Sequence, residues 1–132
     1  MNEKYMNIAL IEANKAYKKN EVPIGCVIVK NNKIISKAYN KKEKTNVVTK
    51  HAEIIAIEKA CKKLKTWHLN DCILYTTVEP CLMCTGAIIQ SRIKKVVYAT
   101  ENEKYGSLNK IVKESKSKLE IEKNILAEKS IF

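Results

Sequence analysis

The sequence predicts an α/β fold, a three-layer α-β-α arrangement around a mixed five-stranded sheet. Three observations carry this. Apolar residues recur at helical spacing over 2–19 and again from His51. Short runs rich in Val, Ile and Tyr fall between the helical stretches. The resulting order α-β-β-α-β-α-β-α-β, one hairpin followed by alternation, implies a mixed sheet with helices on both faces.

Element by element, Ile8, Ala9, Ile11, Ala13, Ala16 and Tyr17 lie among Lys, Asn and Glu, so residues 2–19 read as an amphipathic helix. Glu21-Val22-Pro23-Ile24-Gly25 breaks it, and Cys26 to Val29 forms a short buried strand. Asn31-Asn32 turns the chain into a second strand, Lys33 to Tyr39, and the polar stretch 40–50 is a loop. From His51, the spacing of Ile54, Ile55, Ile57, Ala60 and Leu64 marks a helix of about four turns. Asp71 to Val78 is a strand whose apolar centre implies burial on both faces. Pro80 then opens a helix through Ile89, since proline suits a first helical turn. Residues 95–99 form a strand, Leu108 to Val112 a short helix, and 119–122 a last strand.

The chain of 132 residues has the length of one domain, 1–132, with a real core. No apolar run approaches the roughly 18 residues of a membrane span. Met1-Asn2-Glu3-Lys4 lacks the pattern of a secretory signal, so a cytoplasmic location is expected. Five cysteines leave one over, which argues against a disulfide framework. Cys26, Cys61 and Cys72, single within apolar or helical stretches, read as buried thiols. The net charge of +11 suits a polyanionic partner such as nucleic acid. It equally suits drift in an AT-rich genome, because 24 of the 25 basic residues are lysine and only Arg92 is arginine.

The chemistry sits at two helix starts. His51 begins one helix, and Cys81 and Cys84 begin the next. The helix and strand between them form a crossover of about 30 residues, which returns the chain to the same edge of the sheet and sets the two helix N-termini side by side. Positive helix ends favour thiolates. One imidazole and two sulfurs are the three protein ligands of a catalytic zinc ion, the fourth position being left for water. The expected cofactor is therefore one Zn2+ per chain. His68, the other histidine, lies at the far end of the crossover helix and reads as structural or surface. Glu53, two residues after His51, can reach a zinc-bound water without ligating the metal, take its proton and deliver it to a ring nitrogen and to leaving ammonia. His-x-Glu alone is common, and Cys-x-x-Cys alone also fits a redox pair or half a zinc ribbon. In this order, with Pro80 before Cys81, they match the general signature of zinc nucleobase deaminases.

Glu21-Val22-Pro23-Ile24-Gly25, Tyr39-Asn40, His51-Ala52-Glu53, Leu74 to Cys81, and Gly86 to Ile93 together resemble the bacterial tRNA-specific adenosine deaminases, across about residues 4–128. Ser91-Arg92-Ile93 followed by Gly106-Ser107-Leu108 is more typical of that family than of free-base deaminases. The resemblance implies a cytidine-deaminase-like fold and conversion of the tRNA wobble adenosine to inosine. It also implies a homodimer and a target base flipped into the zinc pocket. Glu53 would be the proton shuttle. Asn40, Ile24 and Ala52 would bind substrate, with Asn40 bonded to the base. By their positions, Asn40 could also end a strand, Ile24 could belong to the core, and Arg92 could cap the helix ending at Ser91 rather than touch RNA.

Three departures accompany the resemblance. Val47-Val48-Thr49-Lys50 stands where Asp-Pro is usual. The loop Glu101 to Gly106 is about three residues short. The sequence stops at Ile131-Phe132, where the family's last helix, which grips the tRNA stem, would begin. Expected partners are a tRNA anticodon stem-loop or another single-stranded nucleic acid, with Lys50 a candidate phosphate contact, and no membrane. A deaminase of free guanine, free cytosine or a nucleoside is the competing enzyme reading. A non-catalytic zinc-binding subunit of an editing heterodimer is the competing non-enzyme reading.

Overall fold

A computed structural model describes residues 2–132, with side chains from residue 3. The chain runs α1 (Asn2–Lys18), β1 (Gly25–Lys30), β2 (Lys33–Tyr39), α2 (Lys42–Thr45), α3 (Ala52–Leu64), β3 (Cys72–Val78), α4 (Leu82–Gln90), β4 (Lys95–Thr100), α5 (Leu108–Ser115) and β5 (Glu120–Glu122), with a 3-10 turn at Ala127–Lys129. The five strands make one sheet in the order β2-β1-β3-β4-β5. β1 is antiparallel to both β2 and β3, while β3, β4 and β5 are parallel. The mixed sheet expected from the sequence is therefore present.

Strand alternation builds the three layers. Val27 and Val29 of β1, Tyr75 of β3, and Val97 and Ala99 of β4 pack with Tyr5, Met6 and Ala9 of α1 on one face. Cys26 and Ile28, Leu74, and Val96 and Tyr98 point the other way, into a cluster with Ala52, Ile55 and Ala56 of α3, Ile88 of α4 and Leu108 of α5. Helices thus cover both faces, and β1, β3 and β4 are buried through most of their length. Each large side chain buried this way stabilises by about 1.5–3 kcal/mol before entropy is charged against it. The α1 layer sits very close. A Cβ at Gly25 would run into Ala9 O and Ala13 N, so only glycine lets β1 start under the helix.

The Asn31-Asn32 turn forms as read. Both residues have left-handed φ, 51° and 61°, as a two-residue hairpin turn requires, and they join Lys30 to its partner Lys33. Three local readings change. The 40–50 loop contains the short helix α2, whose second and third amides, Glu43 N and Lys44 N, donate to the buried Glu21 carboxylate at 3.0 and 2.7 Å. Pro80 does not open α4. Cys81 is the cap, with extended backbone at φ −74° and ψ −179°, and the helix begins at Leu82. Cys61 is half-buried rather than buried, while Cys26 and Cys72 are buried as expected, and all five cysteines are free thiols. No described helix is long and apolar enough to cross a membrane.

Candidate metal centre and substrate cavity

β2 and β3 both run antiparallel to β1, so they point the same way and their chains leave the same edge of the sheet. His51 caps α3 after β2, and Cys81 caps α4 after β3. Neither side chain makes a capping hydrogen bond, and both are left to turn toward each other. His51 Nδ1 lies 3.7 Å from Cys81 Sγ and 3.5 Å from Cys84 Sγ. The three ligand-type atoms all fall within 4.8 Å of one another. The crossover thus brings together the residues that are 30 positions apart in sequence.

The electrostatics are those of a small set of groups competing for few protons. The hydrogen bond from Cys84 holds the Cys81 thiol down to about 4, with His51 assisting and burial opposing. The same contact with Cys81, joined by burial, pushes the Cys84 thiol far up. The Cys81 contact raises His51. Burial pushes the Glu53 carboxyl up to about 7. A divalent cation would displace a thiol proton, as metal binding to cysteine does generally.

Glu53 supplies the second half of the site. It sits in the first turn of α3, only 2% exposed, and its Oε1 is the one buried side-chain oxygen or nitrogen without a hydrogen-bond partner among the described residues. A buried carboxylate oxygen left unpaired beside one nitrogen and two sulfurs fits a zinc site of three protein ligands with an open fourth position. No fourth His, Cys or acidic ligand joins the cluster among the described residues.

The cluster opens into a cavity of about 680 Å³. His51, Glu53 and Cys81 line it together with Ile24 and Asn40. Asn40 is buried, and its Oδ1 accepts the Ala52 N–H at 2.7 Å. That bond locks the start of α3 to the end of β2. Ile24 lines the cavity and also belongs to the core. The Ala52 side chain is fully buried in the core and is not among the residues that line the cavity. Lys50 is not a cavity residue either; its ammonium pairs with Glu58 at 3.1 Å. Arg92 terminates α4 through its backbone, in a left-handed conformation at φ 64°, and its guanidinium lies 5.4 Å from the Trp67 ring centroid. His68 is exposed and stacks on Trp67 at 3.8 Å.

Sequence reasoning did not assign the rest of the lining. Glu79, Asn102, Lys104, Tyr105 and Ser107 belong to it, as does Lys42. Glu79 accepts from Asn102 N and Asn109 Nδ2, both at 3.4 Å. Gly106 pairs with Cys81 across an isolated β-bridge, and a Cβ at Gly106 would strike Asn102 O and the Glu79 carboxylate. The available signal was an acidic residue directly before Pro80-Cys81, at the end of a strand buried on both faces.

This fold and this site define a zinc-dependent deaminase. The profile of the cytidine and deoxycytidylate deaminase zinc-binding region matches residues 1–100. The tRNA-specific adenosine deaminase of Aquifex aeolicus (strain VF5) is 46% identical over 106 residues, which is 80% of this chain and 70% of that one. A solved structure from a study of A-to-I editing by tRNA:A34 deaminases superposes with a TM-score of 0.89 at 33% identity, covering 96% of this chain and 95% of the other. The guanine deaminase of Bacillus subtilis superposes with a TM-score of 0.74 at 44% identity, over 76% of this chain and 65% of the other. The chain belongs to the cytidine and deoxycytidylate deaminase family, among its tRNA-specific adenosine deaminases.

Proposed function

We propose that this protein hydrolyses adenosine to inosine in RNA, with the tRNA wobble adenosine as its substrate. The observation that carries the reading is the convergence of His51, Cys81 and Cys84 beside the unpaired, buried Glu53 Oε1. Its support for adenosine in tRNA comes from the Aquifex relative and the tRNA:A34 deaminase structure. His51, Cys81 and Cys84 hold the zinc. When bound, the metal acts as a Lewis acid that brings the pKa of a water to about 7. Glu53 Oε1 accepts a proton from the attacking water and passes it to ring nitrogen N1 as the C6–O bond forms. It then carries the second proton to the exocyclic amine, the C6–N bond breaks and ammonia leaves. Asn40, its Oδ1 held by Ala52 N–H, offers its Nδ2 donor to the base, and Ile24 packs against the ring.

The surrounding surface fits this use. The net charge of +11 suits a phosphate backbone, and Lys42 and Lys104 line the cavity. A homodimer is part of the reading. On α4, Ile88 is fully buried and Ala87 and Ile89 are half-buried, while Leu82, 62% exposed, and Met83, 36% exposed, line the cavity. The location proposed is the cytoplasm, where tRNA is found and thiols stay reduced.

Free guanine is the second reading, favoured by the 44% identity to the Bacillus guanine deaminase. Incubation with an anticodon stem-loop RNA, free guanine and free cytosine in parallel separates the two. Inosine in the loop and no xanthine is the expected result. Turnover of guanine with no change in the RNA would replace the first reading by the second.

A further inference from the structure

The cavity lining includes an aromatic ring that the deamination chemistry does not use. Tyr105 lines the cavity together with His51 and Glu53, yet 62% of it is exposed. The loop that carries the ring is held by several hydrogen bonds. Tyr105 N donates to Asn102 Oδ1 at 3.1 Å, and Gly106 N donates to Asn102 O at 2.8 Å. Ser107 N donates to Pro80 O at 3.0 Å, and Gly106 bridges to Cys81. The backbone that carries the ring is therefore anchored to the residue that caps α4 in the metal centre. The Lys104 ammonium lies 5.2 Å from the ring centroid, which places a cation against one aromatic face. Lys42 lines the same cavity.

An exposed ring with lysines beside it, lining a cavity with room for more than one base, is the equipment of single-strand recognition. Bases stack on aromatic faces while cations meet the backbone. An isolated base or nucleoside, once inside the cavity, has no second base to place on that ring. We propose that Tyr105 is a stacking platform for the nucleotide adjacent to the one that enters the cavity, so the rim selects a splayed single-stranded RNA segment. This inference rests on the RNA reading of the site.

The test is a cycle between the ring and the RNA. Single-turnover kcat/KM is measured for an anticodon stem-loop and for two versions carrying an abasic residue, one 5′ and one 3′ of the target adenosine. The zinc-loaded wild type, Tyr105→Ala and Tyr105→Phe are compared. Because the ring is exposed, its removal leaves the core untouched, and zinc content checks the metal centre. Base–aromatic stacking predicts that Tyr105→Ala loses about 5- to 150-fold on the intact RNA. One of the abasic RNAs should show a similar loss with the wild type and no further loss with Tyr105→Ala, and Tyr105→Phe should restore the wild-type pattern. Equal abasic penalties in wild type and Tyr105→Ala would overturn the stacking role while leaving the RNA reading intact. A wild type that leaves the intact RNA unchanged would overturn both.

Discussion

Glu53 and Gly106 show how single residues are held to this site by different constraints. Glu53 is proposed for what it can carry. Its Oε1 has no partner among the described residues, so replacing the carboxylate removes a proton carrier without breaking a hydrogen bond at that atom. Glu53→Gln should keep the fold and the zinc content while turnover falls by about 10²–10⁴-fold, the usual contribution of a general acid–base group. Metal analysis beside a product assay reads both, and near-normal turnover would remove Glu53 from the mechanism. Gly106 is required for the space it leaves. Its φ is not in the left-handed region, so a side chain is barred by contact rather than by backbone conformation. The added Cβ of Gly106→Ala meets Asn102 O and the Glu79 carboxylate, and one of those neighbours is main chain that cannot swing away. The expected cost is about 1–3 kcal/mol, typical of overpacking, read as a lower urea midpoint with unchanged m-value.

The same logic at the level of elements concerns how loops are fastened to the sheet. Glu21, in the breaker after α1, places its carboxylate on the second and third amides of α2, which ties the 40–46 segment to the lead-in of β1. Asn40 and Lys42 stand on one side of that tie, and Val22 and Ile24 on the other, and all four line the cavity. Glu21→Ala leaves Glu43 N and Lys44 N without their acceptor and should cost about 1.5–3 kcal/mol, the range for hydrogen bonds to a charged group. It should also raise KM more than it lowers kcat, since the lining loosens while His51 and Glu53 stay on α3. A Michaelis constant unchanged in a destabilised variant would show that the tie is structural only. At the hairpin, Asn32 holds φ 61° and its carbonyl accepts the Tyr5 hydroxyl at 2.9 Å. A β-branched residue there is strained by about 1–2 kcal/mol, so Asn32→Val should lower the unfolding midpoint where Asn32→Gly does not.

Across the whole molecule, the metal centre couples folding to chemistry. The antiparallel strand β1 lies between β2 and β3, which lets two parallel strands deliver two helix caps to one point. A zinc ion there joins the residues at the start of α3 to those at the start of α4. At a free zinc concentration about 1,000 times the dissociation constant, binding to the native state alone adds about 4 kcal/mol. Stripping the metal with a chelator should therefore lower Tm by more than about 10 °C for a chain of this size. Re-addition of zinc should restore it. A chelated protein with unchanged Tm and full activity would exclude a structural and catalytic metal at these residues.

Much of this was legible in the sequence because the relevant physics is local. Helical and strand periodicity, the Asn31-Asn32 turn, and the order of elements determined the layers and the mixed sheet. The crossover argument placed His51 near Cys81 and Cys84, and it needed only the direction of two strands. Two local readings failed where a distant partner decides. Pro80 stands before the cap because Cys81 must be extended to pair with Gly106. The 40–50 stretch contains a helix because Glu21, about 22 residues away, accepts two amides of its first turn. The rest of the lining, with Glu79, Tyr105 and the close approach at Gly106, carries no period or spacing that a sequence displays. The sequence by itself determined most of the elements and the His51, Cys81 and Cys84 grouping, and it proposed Glu53 as the proton carrier, since these depend on residue type and short-range order. Only the tertiary structure decided the shape of the cavity and its rim, because those arise from contacts between segments that meet after the chain has folded.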